Sequence, residues 1–233
     1  MEKSDTILVL FSGGVDSTLA AVIAAKRTKT IYLITYERFG LFGSEKAQYS
    51  IKRLKKKFPD VEFIHKIENI EKEYKKISCY NRISDMIKYG FATLTVCGFC
   101  KLAMHWKTMK LCKIYGVKIV YDGAIKATKV FPAQNKEIMI NEMLKTYKEQ
   151  GIDYKTPVYD MDTERMLYQE GLIASSKVKG TYKDIQPTCS QQLLFSRVVN
   201  YYLSKFSFEE YQEILKRFYS KKIGYLRRQL TNA

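Results

Sequence analysis

The sequence predicts an α/β fold: a doubly wound parallel sheet with a helical C-terminal extension. Three observations carry this expectation. An apolar run, Ile7-Leu8-Val9-Leu10-Phe11, leads through a small-residue turn into the apolar-periodic stretch Leu19 to Ala25. Strand and helix patterns then alternate, which favours parallel strands with helical crossovers. From Ser190 onward only helical periodicity remains.

In chain order, Thr6–Phe11 reads as the first strand and about Asp16–Lys26 as the first helix. Thr30–Tyr36 is the second strand, Ser44–Phe58 a helix stopped by Pro59, and Val61–Ile67 the third strand. Glu68 to Tyr89 is expected to be helical in one or two pieces. Cys100–Tyr115 is a helix ended by Gly116, and Val117–Tyr121 is the fourth strand, followed by Asp122-Gly123. Pro157-Val158-Tyr159 is a candidate fifth strand, and Asp162–Glu170 a helix stopped by Gly171. Gly171 to Pro187 reads as loop, and two helical segments split near Ser207 complete the chain. The expected domains are residues 1–189, which contain the C-x-x-C stretch, and a basic helical extension, 190–233.

The turn Ser12-Gly13-Gly14-Val15-Asp16-Ser17-Thr18 lies between strand and helix. A helix N-terminus offers unpaired N–H groups and the positive end of its dipole, so this is an anion site. The glycines allow close approach of backbone to phosphate, and Ser12 and Ser17 add hydroxyl donors. Asp16 beside phosphates is repulsive unless a cation intervenes, which makes it a candidate Mg²⁺ ligand. The alternative is an ordinary strand-to-helix turn with Asp16 as an N-cap. The pattern is not Walker A, which needs Gly-x-x-x-x-Gly-Lys-Ser/Thr. Ligands of doubly wound sheets sit at the carboxyl ends of strands. That places Thr35-Tyr36 and Asp122-Gly123 on the same rim as Ser12–Ser17.

Composition sets outer limits. The 233 residues are 46% hydrophobic, so a core is expected and global disorder is not. No apolar run reaches membrane-spanning length, and Met1 to Asp5 lacks a signal-peptide pattern. A cytoplasmic protein without membrane contact is expected. Lys and Arg number 40 against 24 Asp and Glu, a formal charge of +16 that suits polyanionic partners.

Five cysteines are present: Cys79, Cys97, Cys100, Cys112 and Cys189. Cys97-Gly98-Phe99-Cys100 is a C-x-x-C before a helix, where the helix N-terminus is expected to favour thiolate. Cys189 also precedes a helical pattern. Four readings stay open: structural zinc with Cys112 or His105 as a further ligand, a redox pair, three thiolates on a [4Fe–4S] cluster, and inert buried thiols. The last is the expectation for Cys79 and Cys112. His65 lies in a strand pattern and is expected to be structural.

The seven-residue turn resembles the signature of the PP-loop ATP pyrophosphatases, the adenine nucleotide α-hydrolase-like group. The resemblance implies a Rossmann-like sheet of the PP-loop (HUP) type, cleavage of ATP between the α and β phosphates, and adenylation of a substrate. Cys97-x-x-Cys100-Lys101, the strand ending in Asp122-Gly123, and the stretch from Glu170-Gly171-Leu172 through Lys183 to Pro187-Thr188-Cys189 resemble the sulfur-transferring members. These are the cluster-dependent tRNA thiolases and the sulfurtransferase of nickel-pincer cofactor synthesis. The resemblance spans about residues 6–195.

It implies ATP and Mg²⁺ at Ser12, Gly13, Gly14, Asp16, Ser17, Thr18, Thr35, Tyr36, Asp122 and Gly123. It also implies a [4Fe–4S] cluster on Cys97, Cys100 and Cys189, whose open iron carries hydrosulfide. Asp16 and Lys101 are the candidate catalytic residues, with a solvated helix lysine as the alternative for Lys101. The chain departs from many relatives after Gly123, where it has Ala124-Ile125-Lys126-Ala127-Thr128, and lacks the accessory zinc-binding domains of many tRNA thiolases.

Lys52-Arg53-Leu54-Lys55-Lys56-Lys57 is a basic run, and Lys216 to Arg228 holds six basic residues interleaved with Phe218, Tyr219 and Tyr225. Such a mixture suits RNA. The alternative is an amphipathic helix with its aromatics in the core and its lysines in water.

The leading expectation is an ATP-dependent sulfurtransferase that thiolates tRNA. The alternatives are sulfur insertion into a small cofactor precursor, a nitrogen-transferring amide or nitrile ligase with structural Zn²⁺, and a non-catalytic nucleotide- or RNA-binding protein. The sulfur donor and a homodimeric state stay open.

Overall fold

A computed structural model of the chain describes residues 6–94, 96–126, 132–173, 188–189 and 192–231. The elements in order are β1 (Ile7–Leu10), α1 (Val15–Ala25), β2 (Thr30–Glu37), β3 (Leu41–Phe42), α2 (Ala47–Lys57), β4 (Glu62–Asn69), α3 (Glu71–Cys79), α4 (Arg82–Tyr89), α5 (Val96–Tyr115), β5 (Ile119–Asp122), α6 (Asn141–Glu149), β6 (Asp153–Lys155), α7 (Thr163–Gln169), β7 (Thr188–Cys189), α8 (Gln192–Lys205) and α9 (Phe208–Thr231). They form two compact units. One is drawn from Met1–Asn69, Met109–Ile125 and Tyr147–Thr188, the other from Ile70–Thr108, Lys126–Thr146 and Cys189–Ala233.

The first unit is the expected parallel sheet, in the order β4-β2-β1-β5-β6. β1 is central and buried along its length, as its unbroken apolar run requires. The chain moves outward from β1 to β2 and β4, then returns to β5 on the other side of β1. The order therefore reverses between β1 and β5, where open α/β sheets bind ligands. The Ala-rich helix α1 is buried over most of its surface, from Ser17 through Ala25, and packs on β1, β2, β5 and α7.

Val158, Leu167, Leu172 and Ile173 join the same core as Leu19, Ala21 and Ile51. Glu170, beyond α7, pairs with Lys26 and with Lys57 (2.8 Å), and those two ammonium groups hold its carboxyl below the usual range. β3 pairs with β7 in a second, two-stranded sheet.

The fifth strand of the main sheet is Asp153–Lys155, and Pro157–Asp160 is a turn. Proline lacks the N–H that a ladder needs, so the strand ends before it. Most of the loop expected from Gly171 to Pro187, together with Ala127, Thr128 and Ser190, lies outside the described residues.

The second unit is helical. One face of α9 is buried: Tyr211, Leu215, Phe218, Tyr219, Lys222, Leu226 and Leu230. Asn81, with φ 52°, turns the chain between α3 and α4. Among the described residues no helix is long and apolar enough to cross a membrane.

Candidate nucleotide and thiol sites

The turn after β1 is shaped by its own small side chains. Gly13 has φ +79°, and a Cβ there would stand 2.7 Å from Ala47 Cα. Both the conformation and the lack of space require glycine. The Ser12 N–H donates to Ser17 Oγ (3.2 Å), and the Gly14 N–H to Ser12 Oγ (3.3 Å). Ser17 Oγ donates to Gly14 O (3.1 Å), and Thr18 Oγ1 to Gly13 O (3.4 Å). Ser50 on α2 donates to Gly13 O at 2.6 Å. Gly14 is the N-cap of α1 and no side chain caps that helix. Asp16 is therefore not the N-cap, and the first-turn N–H groups are not consumed by a capping side chain.

Gly123 closes the rim from β5. A Cβ at this position would stand 2.7 Å from Ser17 N and 2.8 Å from Ser17 Cα. The backbone leaving β5 thus lies against the first turn of α1, and the expected proximity of Ser12–Thr18 and Asp122-Gly123 is met. Asp122 itself is buried, and its Oδ2 accepts from Tyr154 Oη at 2.7 Å. Burial, then the Asp122 charge, pushes the Tyr154 phenol well up.

Thr35 and Tyr36 lie at the carboxyl end of β2, beside β1. Thr35 Oγ1 is 2.9 Å from His65 Nε2, and Gln48 Nε2 is 2.8 Å from His65 Nδ1. With the Gln48 amide donating to Nδ1, His65 carries its proton on Nε2 and gives it to Thr35. The Thr35 hydroxyl then keeps its own proton to donate. Burial, with Lys55 adding, holds the His65 pKa below its ordinary value, which favours this neutral ring.

Asp16 is met by a residue that the sequence did not single out. Thr163 Oγ1, at the start of α7, donates to Asp16 Oδ1 at 2.6 Å. Burial raises the Asp16 pKa, Thr163 opposes it, and Glu164 adds to the rise. A partly buried carboxyl with one hydrogen-bond donor on it keeps acceptor capacity for a divalent cation arriving with a nucleotide. Mg²⁺ is commonly held by one or two carboxylates plus phosphate oxygens.

Cys97, Cys100 and Cys189 all belong to the second unit, as does Lys101, a half-buried residue of α5. All five cysteines are free thiols. Cys97 is the second residue of α5, yet burial pushes its thiol up to about 12, with Cys100 and Cys189 adding. Backbone donors at Ala133 and Gly98 act the other way. The helix N-terminus therefore does not make Cys97 a thiolate here, because desolvation is the larger effect. Cys112 is buried and raised to about 12 by that burial, as expected for an inert thiol. Cys79 is exposed, contrary to expectation, because it ends α3 on the helix's open face.

The C-x-x-C, expected before a helix that starts at Cys100, is instead the first turn of α5, which begins at Val96, and it is packed against α9. A Cβ on Gly98 would stand 2.2 Å from the Tyr219 ring, so only glycine fits between the cysteines. Phe99 meets Phe218 (5.6 Å), Tyr219 (5.9 Å) and Tyr74 (6.4 Å). Tyr225 stacks on Tyr80 at 4.0 Å. The aromatics of the basic tail therefore serve packing. Several of its cations are engaged too: Lys221 and Lys222 with Asp85, Arg217 with Glu213, Arg227 with Glu142, and Arg228 with the Tyr80 hydroxyl.

Among the described residues no group of three or more His, Cys, Asp or Glu is placed to hold a single metal ion. Cluster thiolates bind separate irons and so stand wider apart than the ligands of one ion. Three soft donors in one unit, with the orphaned buried hydroxyl of Tyr211 in the same unit, fit such a cluster in donor chemistry.

The family described as thiamine biosynthesis protein (ThiI) matches residues 2–127, more than half of the chain. No curated protein sequence matches the chain. Among solved structures, it is similar to a 4-thiouridine synthetase in complex with RNA and bound ATP. That likeness has a TM-score of 0.50 and 17% identity, covering 94% of this chain and 53% of that one. The chain thus spans about half the length of that synthetase.

Two further similar structures are a predicted subunit of tRNA methyltransferase from Methanocaldococcus jannaschii (TM-score 0.43, 20% identity, 71% of this chain and 88% of that one) and the NMN synthetase of Francisella tularensis (0.46, 14%, 97% and 87%). These likenesses concern the fold. With its parallel sheet and glycine turn, and by the family match, the chain belongs to the ThiI family, within the PP-loop ATP pyrophosphatase superfamily.

Proposed function

We propose that the protein is an ATP-dependent tRNA sulfurtransferase that uses a [4Fe–4S] cluster. The observation that carries the first half is the turn after β1, whose helix has no capping side chain and whose wall at Gly123 admits no Cβ. The similar 4-thiouridine synthetase structure holds RNA and ATP, and both ligands are carried over to this chain on that likeness.

In this reading the Ser12–Thr18 turn receives the ATP phosphates through backbone N–H groups and the Ser12, Ser17 and Thr18 hydroxyls, the last two turning to them from Gly14 O and Gly13 O. Asp16 binds Mg²⁺ on the phosphates, with Thr163 orienting its carboxylate. Thr35 and Tyr36 line the nucleoside side of the rim, and Asp122-Gly123 allow close approach. A carbonyl oxygen of a tRNA base attacks the α-phosphorus, its bond to phosphorus forms, and pyrophosphate leaves. A sulfur nucleophile then displaces AMP, which carries that oxygen away.

Cys97, Cys100 and Cys189 hold the cluster, and Lys101 offsets negative charge near it. When bound, the cluster supplies the nucleophilic sulfur. The soluble setting is the cytoplasm.

The test is anaerobic reconstitution with iron and sulfide, counting both on the wild type and on Cys189→Ala. Pyrophosphate release and sulfur incorporation are followed with unmodified tRNA. Four irons and four sulfides per chain in the wild type, lost in the variant, are the expected result. Stoichiometric zinc without sulfide overturns the cluster, and ATP turnover indifferent to tRNA overturns the acceptor.

A further inference from the structure

One buried polar group in the unit that holds these thiols has no structural use in view. Tyr211 on α9 is 0% exposed, and no described residue forms a hydrogen bond with its hydroxyl. Leaving a buried hydroxyl unsatisfied is costly, and native proteins contain few such groups. Phenylalanine would fill the same space without that cost.

The position of Tyr211 suggests what the hydroxyl is for. Tyr219 against Gly98 and Phe218 against Phe99 lay α9 on the C-x-x-C turn. Tyr211 lies on the same buried face, two helical turns before Phe218. Burial raises its phenol pKa, and Cys97 is among the groups that add to the rise, which puts that thiol within electrostatic reach of the hydroxyl. On the turn Pro132–Gln134, the Ala133 N–H reaches the Cys97 sulfur, and Gln134 Oε1 is likewise buried with no bonded partner among the described residues. The surroundings of Cys97 thus hold polar atoms with unused hydrogen-bonding capacity, as a site built for a ligand does.

We propose that the Tyr211 hydroxyl is a member of the thiol site and donates a hydrogen bond to the sulfur of the group held by Cys97, Cys100 and Cys189. The inference rests on the cluster reading above and extends it to a residue from the C-terminal helix. A neutral phenol is the donor that an anionic sulfur needs, because it lowers the sulfur's electron density without adding charge.

The test compares reduction potentials of anaerobically reconstituted wild type, Tyr211→Phe and Tyr211→3-fluorotyrosine, with iron and sulfide counted in each. Hydrogen bonds to cluster sulfur favour the more negative, reduced form, so their loss lowers the potential. Tyr211→Phe is expected to load the wild-type amount of iron and to shift to a more negative potential. The fluorinated phenol, a stronger donor of nearly the same shape, is expected to shift it the other way. A ring that only fills space gives no such opposed pair of shifts. Loaded variants with the wild-type potential overturn the proposal while leaving the cluster in place. A wild type that takes up no iron and sulfide overturns the cluster reading, and the donor role with it.

Discussion

Thr163 Oγ1 donates to Asp16 Oδ1 at 2.6 Å, joining residues 147 positions apart. The hydroxyl opposes a rise in the Asp16 pKa that burial causes and Glu164 reinforces. The folded protein therefore holds a proton at Asp16, above the ordinary carboxyl pKa, that the unfolded chain has released. Metal-free stability falls as pH rises through that window. Asp16→Asn is expected to raise the thermal midpoint at neutral pH without nucleotide, and to abolish Mg²⁺-dependent ATP turnover.

Thr163→Val removes the opposing hydrogen bond, so the Asp16 pKa moves further up. Mg²⁺–ATP affinity, which needs the carboxylate, is expected to decline at a higher pH than in the wild type. At neutral pH the loss is roughly threefold to tenfold, the worth of one hydrogen bond of about 1 kcal/mol. Calorimetric titration across pH reads both effects.

Gly123→Ala forces a methyl group against Ser17 N and Cα, which cannot swing aside as a flexible side chain can. The first turn of α1 must shift away from β5. A misplacement of this kind is expected to cost on the order of 10-fold to 100-fold in kcat/KM for ATP. Unchanged pyrophosphate release would show that the turn tolerates displacement.

Asp85 and Lys222 form a buried ion pair at 2.8 Å, each about 1% exposed, with the ammonium near the Tyr80, Phe99 and Phe218 rings. Asp85→Asn strands that charge and is expected to destabilise the protein by about 3–5 kcal/mol in urea unfolding. Burial lowers the Lys222 pKa while Asp85 opposes it. Without Asp85 the folded pKa falls further below the unfolded value. The variant's stability should then rise with pH up to the ordinary lysine range. Adding Lys222→Met should restore part of the loss.

In metal-free protein, Cys97 and Cys112 are thiols raised to about 12 by burial, whereas Cys79 is exposed. Alkylation at neutral pH followed by peptide mass spectrometry should label Cys79 first. Cys112, which is buried, should react only after unfolding, and the half-buried Cys97 more slowly than Cys79. Labelling of Cys97 as fast as that of Cys79 would contradict its raised pKa.

Lys52, Lys55 and Lys56 remain exposed on α2, unlike several of the α9 cations. Replacing all three by alanine is expected to reduce the slope of log K against log salt for tRNA binding by about 2–3, as counterion release predicts for three phosphate contacts. Arg227→Ala, which breaks contacts to Thr146 and Glu142, should lower stability instead and leave the slope unchanged.

The alternation of strand and helix, the glycine turn and the rim formed with Gly123 were legible because they follow from local periodicity and small-residue geometry. The fifth strand was misplaced by a few residues: Asp153–Lys155 is short, and only pairing with β5 makes it a strand. Thr163, Ser50, Tyr154 and Tyr211 gave no local signal. The first three bond to partners far along the chain, at Asp16, Gly13 and Asp122, and the buried Tyr211 hydroxyl is recognised only by its lack of one among the described residues.

By itself, then, the amino-acid order determined a parallel α/β sheet with an anion-binding turn, and a C-x-x-C with a distant third cysteine. Tertiary structure alone decided that Cys189–Ala233 packs with residues 70–108 and 126–146 in one unit. It also put the aromatics of the basic tail against the C-x-x-C turn. The physical reason is desolvation. A run of lysines and tyrosines has the same local pattern whether it faces RNA or a core, and burial against Gly98, Phe99 and Asp85 is what distinguishes the two.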